Sequence, residues 1–161
     1  MRPHGFTLVE ILVVLVILAI AAGAAIVVYD GDPRGAATRE ARRFAGAVEH
    51  AAMRAQSRSE TLGVSAEGGS WRFWRRQPDS GQWHPLADDD VLAPHELPPP
   101  IRIAVLAYAG QPVTGNIVVP LRPTGRNEPY EFVLQTQRLR VILRSDPLNR
   151  VRLTAIEDAT P

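Results

Sequence analysis

The residues of this chain that could do chemistry are few and unevenly placed. Glu10 is a carboxylate set directly ahead of 19 uncharged residues, Ile11 to Tyr29. In apolar surroundings such a group needs a cationic partner. Asp88-Asp89-Asp90 offers clustered oxygens, the chemistry that attracts a hard cation such as calcium. The alternating loop and distal glutamate of a calcium site are missing, so these acids read as a solvated loop. His4, His50, His84 and His95 lack paired ligand spacing and read as surface or packing histidines. With no cysteine, the chain has no thiol nucleophile, disulfide or cysteine-based zinc site. With no lysine it cannot form a lysine-bearing phosphate loop, and no Gly-x-Ser-x-Gly elbow occurs. No catalytic residue, metal ligand or cofactor site is expected.

A second charged pattern lies near the C-terminus. Arg138, Arg140 and Arg144 alternate with Leu139, Val141 and Leu143, and Arg150 and Arg152 alternate with Val151 and Leu153. Ser145-Asp146-Pro147-Leu148-Asn149 can join the two runs as a hairpin. Period-two alternation then places five arginines on one outer face, with the aliphatic side chains inward. Such a face attracts phosphates electrostatically, or serves as a solvent face or a contact between subunits.

These residues sit in a chain of 161 residues with a formal net charge of +1. Bulk attraction to nucleic acid is excluded by that balance. The length suits one domain with a real core. At 1.5 Å per residue, the uncharged run spans roughly 28 Å as a helix, close to the thickness of a bilayer core. Three readings compete for it: a cleaved secretory signal ending near Ala19-Ile20-Ala21, a buried core helix, and a retained transmembrane helix. Glu10 counts against the first. Nineteen uncharged residues at the extreme N-terminus count against the second.

Beyond Tyr29, Asp30-Gly31-Asp32-Pro33-Arg34-Gly35 interrupts the rod. Asp32 is placed to cap a new helix with Pro33 at its first position. Ala37, Ala41, Phe44, Val48, Ala51, Ala52 and Ala55 then recur at helical spacing. This predicts an amphipathic helix to about Ser59, with Arg39, Arg42, Arg43, Glu49 and Arg54 mostly on other faces. From Thr61 onward the pattern is of short strands, eight in all. They include a hairpin across Pro78-Asp79-Ser80-Gly81, and a stiff extended spacer falls at Leu97-Pro98-Pro99-Pro100. Close-spaced strands without helices between them predict antiparallel sheets packed as a sandwich. The fold class is therefore α+β.

Gly5-Phe6-Thr7-Leu8-Val9-Glu10, joined to the apolar run, resembles the type IV prepilin signature. The stem helix, the aromatic hairpin, Trp83-His84-Pro85-Leu86-Ala87-Asp88, Leu97-Pro98 and Ile101 narrow the resemblance. Together they look like the minor pseudopilin H family of type II secretion systems. Related minor pilins of the FimT and FimU kind are the alternative, for pilus assembly or DNA uptake through a basic C-terminal region. The resemblance implies a pilin-like organisation: leader 1–5, transmembrane helix 6–29, amphipathic stem 30–60 with a neck at 31–35, and a periplasmic β-rich head 61–161. It implies cleavage by prepilin peptidase between Gly5 and Phe6, and N-methylation of Phe6. It also implies pairing of Glu10 with the N-terminal amine of a neighbouring subunit, which sets axial register. The implied setting is the bacterial inner membrane, crossed once through the lipid bilayer. The implied partners are the major pseudopilin, the other minor pseudopilins of the tip, the inner-membrane assembly platform and exoprotein cargo; DNA enters only in the alternative.

Overall fold

The computed structural model describes residues 8–29, 33–124 and 126–158. They divide into two compact units, one ending at Pro33 and one beginning at Arg34. The first unit holds helix α1, Leu8–Tyr29, 22 residues with Glu10 in the first turn. Its side chains are described from Leu8 to Ile20, and all are exposed. Within the described residues no helix is long and apolar enough to cross a membrane. The α1 side chains from Ala21 onward lie outside them, so the expected membrane segment rests on the sequence of Ile11 to Tyr29. Gly5, Phe6 and the first two residues of the expected neck, Gly31 and Asp32, also fall outside the described residues; Pro33, Arg34 and Gly35 begin the second helix.

Helix α2, Pro33–Arg58, supplies all but its first residue to the second unit. Proline opens it without loss, because the first helical N–H has no intrahelical partner. Ala37, Ala41, Phe44, Val48, Ala51, Ala52 and Ala55 are all buried, as their spacing predicts. The small side chains let the helix backbone lie close to the strands. The helix ends in a Schellman turn: Ser59 has φ 51, Ser59 N donates to Gln56 O, and Glu60 N donates to Ala55 O at 3.1 Å.

Ten strands follow: β1 (Leu62–Gly68), β2 (Ser70–Arg76), β3 (Trp83–Pro85), β4 (His95–Glu96), β5 (Arg102–Tyr108), β6 (Gln111–Pro112), β7 (Val119–Leu121), β8 (Tyr130–Gln135), β9 (Leu139–Ser145) and β10 (Val151–Asp158). Every pairing is antiparallel. The strands run β10-β9-β8-β5-β1-β2-β3 in one connected path, with β4 on β2, β6 on β5 and β7 on β1. The expected antiparallel head thus consists of two halves joined through β5 and β1. That joint is narrow, only Glu67 opposite Ala104 and Gly68 opposite Ile103.

The register places Val64, Ala66, Trp71 and Phe73 on one face of the β1–β2 hairpin. Ile103, Val105, Phe132, Leu134, Val141 and Leu143 share a face in the other half. All ten are buried and form one core with α2. Phe44 joins the halves: its ring meets Trp71 of β2 at 5.2 Å and Phe132 of β8 at 4.8 Å, both edge-on.

Two expectations are corrected. Eight strands were expected; the additional β4 and β6 have two residues each, too short to show a period. The segment 97–100 is not an extended spacer. Ile101 N donates to Pro98 O at 3.1 Å, closing a turn, and the Pro99–Pro100 peptide is cis.

Candidate functional site

Three groups of residues bear on function: the N-terminal segment, a charged cluster under the end of α2, and the arginine face of β9–β10. Glu10 lies on the first turn of α1 with its side chain exposed. Around it Leu8, Val9, Ile11, Leu12 and Val13 are between 48% and 82% exposed. An apolar helix exposed on all its described sides gains burial only from lipid or from other chains. The cleavage pair Gly5 and Phe6 lies outside the described residues.

The cluster was not expected. Arg54, assigned by its helical position to an outer face, has a side chain only 4% exposed. Its Nε donates to Glu60 Oε1 at 2.8 Å and its Nη1 to Asp89 Oδ2 at 2.9 Å. Its Nη2 forks onto Asp88 Oδ1 and Oδ2 at 2.9 and 3.0 Å. Arg75 donates to Glu60 Oε2 and Asp88 Oδ2, each at 2.8 Å. Glu60 and Asp88 therefore each bridge the two arginines. His50 Nε2 lies 3.3 Å from Asp89 Oδ2. Asp89 Oδ1 also caps the short 3-10 turn Asp90–Leu92 by accepting from Val91 N at 3.0 Å. Asp88 and Asp89 are thus held by arginine, which corrects the reading of 88–90 as a merely solvated loop.

The electrostatics follow this geometry. Hydrogen bonding from Arg75, ahead of that from Arg54, brings the Asp88 carboxyl down to about 2. Burial pushes the Asp89 carboxyl up, but Arg54, His50 and the Val91 N–H outweigh it and leave it lowered. Burial acts to lower the Arg54 pKa too, and its three carboxylate partners outweigh that and raise it. The cluster ties α2 to β2 and to the loop before β4, and so fixes the stem against the head's own strands.

The other histidines divide. His95 stacks on Trp71 at 4.2 Å and lies 2.9 Å from Glu40 Oε2, a packing role, whereas His84 is exposed. His4 lies outside the described residues.

Acids interleave the arginines of the β9–β10 hairpin, and Arg138 and Arg150 precede the two strands rather than lying in them. The burial of β9 alternates as expected, with Leu139, Val141 and Leu143 buried. Arg144 stands opposite Arg152 on β10 and opposite Glu131 on β8. Its Nε donates to Glu131 Oε1 at 2.8 Å. Arg150 donates to Asp146 Oδ2 at 2.7 Å across the hairpin turn. Arg140 is half-buried and stands opposite Glu157 and Gln135. Arg138 and Arg152 are exposed. Among the described residues, Arg144 and Arg150 are therefore ion-paired within the head. This lowers the field the face presents to phosphates.

The family comparisons agree with the two-part layout. Residues 1–26 match the prokaryotic N-terminal methylation motif, and residues 40–153 match the family model described as type II transport protein GspH. The type II secretion system protein H of Aeromonas hydrophila is 28% identical over 106 residues, 65% of this chain. That match spans 57% of the relative's length. The protein of the same name from Pectobacterium carotovorum subsp. carotovorum is 25% identical over 156 residues, covering 84% of this chain and 83% of the relative. Two structures of the minor pseudopilin EpsH from the type II secretion system of Vibrio cholerae share the fold. One has a TM-score of 0.59 at 16% identity, covering 74% of this chain and 96% of that one. The other has 0.61 at 14% identity, covering 80% and 100%. These matches do not favour the minor-pilin alternative. With a methylation motif that runs through most of α1 and a family match running from within α2 to β10, the chain belongs to the GspH family of type II transport proteins.

Proposed function

We propose that the protein is a minor pseudopilin of the type II secretion system, a structural subunit near the tip of the periplasmic pseudopilus that supports exoprotein secretion. The observation that carries this reading is α1: an apolar helix, exposed on its described sides, ahead of a folded head. In the precursor, the apolar stretch to Tyr29 lies in the inner membrane and the head stands in the periplasm. Prepilin peptidase cuts after Gly5 and methylates Phe6, leaving 156 residues (161 minus five). During assembly by the inner-membrane platform, α1 exchanges lipid for the apolar helices of the major pseudopilin and the other minor pseudopilins.

Glu10 has a defined task in this scheme. A carboxylate in a membrane segment costs about 2.5–3.5 kcal/mol at the centre and less near the interface. Pairing with the N-terminal amine of a neighbour offsets that cost and sets the axial step. The head links tip subunits to the major pseudopilin and contacts exoprotein cargo. Its role is structural rather than catalytic.

The test uses two variants in a strain lacking the native copy. Gly5→Ala should accumulate as the longer, unmethylated precursor and abolish secretion. Glu10→Gln should be processed normally, with Phe6 methylation visible by mass, yet fail to enter the filament. Normal secretion by both variants would overturn the proposal.

A further inference from the structure

The outer face of α2 carries a stripe that neither the charged cluster nor the core uses. Arg39, Arg42, Arg43 and Gly46 stand at i, i+3, i+4 and i+7, so they share one side of the helix. All four are exposed. None of the three arginines has an ion pair or side-chain hydrogen bond among the described residues. Neighbouring Glu40 is held by His95 instead.

Beside this stripe a cleft of about 300 Å³ opens between α2 and the segment around the 3-10 turn. Arg43 and Gly46 line it from α2, Asp90 and Val91 from the other side, and the buried Trp71, with His95 stacked on it, lies between them. Val91 is 59% exposed. Glycine inside a helix costs about 1 kcal/mol relative to alanine. A Cβ at Gly46 would meet nothing within 4 Å. The chain's own packing therefore does not require glycine there. Its effect is to bare the helix backbone where the cleft is formed.

We propose that this cleft docks an acidic peptide segment of a partner protein. One apolar side chain of the segment sits over Gly46 and Trp71, and its carboxylates lie along Arg39, Arg42 and Arg43. Charge complementarity selects the partner: three unpaired guanidiniums on one helix side call for anions. The apolar lining at Gly46 and Trp71 selects a peptide over a lipid surface, since a flat array of headgroups would meet the arginines and leave the cleft empty. Asp90 on the other side repels carboxylates and directs them to the α2 side.

The test uses the full chain in detergent micelles and a fluorescein-labelled peptide, Asp-Glu-Phe-Glu-Asp, read by anisotropy. Its counterparts carry alanine at the centre or lysine at the acidic positions. The expected result is binding of the acidic phenylalanine peptide that weakens with salt. It should fall about tenfold or more in Arg43→Ala, in Gly46→Leu and with the alanine peptide. Gly46→Leu lies at an exposed helical position and favours the helix, so its circular dichroism and melting should be preserved. No binding at millimolar peptide would overturn the proposal, as would full binding by Gly46→Leu. So would equal binding of the lysine peptide, or displacement of the peptide by a short-chain phosphatidylglycerol below its micellar concentration.

Discussion

Arg54 and Glu60 are six residues apart in the chain, and the turn that ends α2 folds the second back onto the first, Nε to Oε1 at 2.8 Å. Ser59, in the left-handed region between them, makes that return possible. A local cap and a long-range cluster are thus one device. The helix stops where Glu60, two residues beyond its end, can receive an arginine from the helix. That acid then reaches Arg75 on β2 through its other oxygen.

Removal of Arg54 should therefore cost far more than a surface arginine. Arg54→Met leaves Glu60, Asp88 and Asp89 gathered with a single arginine. Arg54 is buried but Asp88 is half exposed and can be re-solvated, so the loss should be about 2 kcal/mol, below that for a fully buried pair. Arg54→Lys keeps the charge but cannot fork onto three carboxylates, and should fall between. Urea unfolding of the full chain in detergent measures both. An Arg54→Met loss under 1 kcal/mol would show the cluster to be incidental.

The cluster also gives the head an acid limit. The folded-state pKa of Asp88 is lowered from 3.8 to about 2, and that of Asp89 is lowered as well. A lowered carboxylate pKa contributes stability that is full above the unfolded value and is lost as pH falls through the folded value. The melting temperature should thus carry this contribution unchanged from pH 7 to 5 and lose it between about pH 4 and 2. In Arg54→Met with Arg75→Met the drop across that window should shrink. An identical drop in the double variant would place the acid sensitivity elsewhere.

Among the described glycines, Gly63 is the one whose replacement meets a hard obstacle. A Cβ there would lie 2.5 Å from Val118 Cγ1 and 2.7 Å from Trp83 Cζ3. Trp83 of β3 covers the outer side of β1 at this point, and the strand backbone must be bare to admit it. Gly63→Ala should cost about 1–3 kcal/mol by overpacking. Adding Trp83→Leu should recover part of that loss, which a double-mutant cycle by urea unfolding would measure. Simple additivity would mean that the tryptophan is not the obstacle.

What could be read from the residues alone follows the range of each interaction. The inner side of α2 was legible because Ala37, Ala41, Phe44, Val48, Ala51 and Ala55 keep helical spacing within one segment. The β9–β10 hairpin was legible from its alternation and from Asp146-Pro147. The burial of Arg54 was not, because Asp89 lies 35 residues away and nothing in the helix marks that turn as covered. The Arg144–Glu131 pair was missed for the same reason, since Glu131 comes from a strand that alternation within β9 does not reveal. Gly63 looks like an ordinary strand glycine until Trp83 is brought over it. Gly5, Phe6 and Glu10 are the reverse case: the motif is plain in the sequence, but the proposed work is done with other molecules.

Ser59 offers a stabilising change. Its φ of 51 places a residue with a Cβ in the left-handed region, which costs about 1 kcal/mol relative to glycine. The position is exposed, so no packing is lost by removing its hydroxymethyl group. Ser59→Gly should raise stability by about 0.5 kcal/mol, because the extra freedom of glycine in the unfolded chain offsets part of the relief. Ser59→Val should act in the opposite direction and more strongly, since a β-branched side chain resists positive φ. The Val variant should also loosen the Arg54–Glu60 contact, because the same turn carries both. Coupling between Ser59→Val and Glu60→Gln in a double-mutant cycle would register that link. If the two changes simply add, the cap and the cluster are independent, and the return of Glu60 onto Arg54 does not depend on the backbone at Ser59.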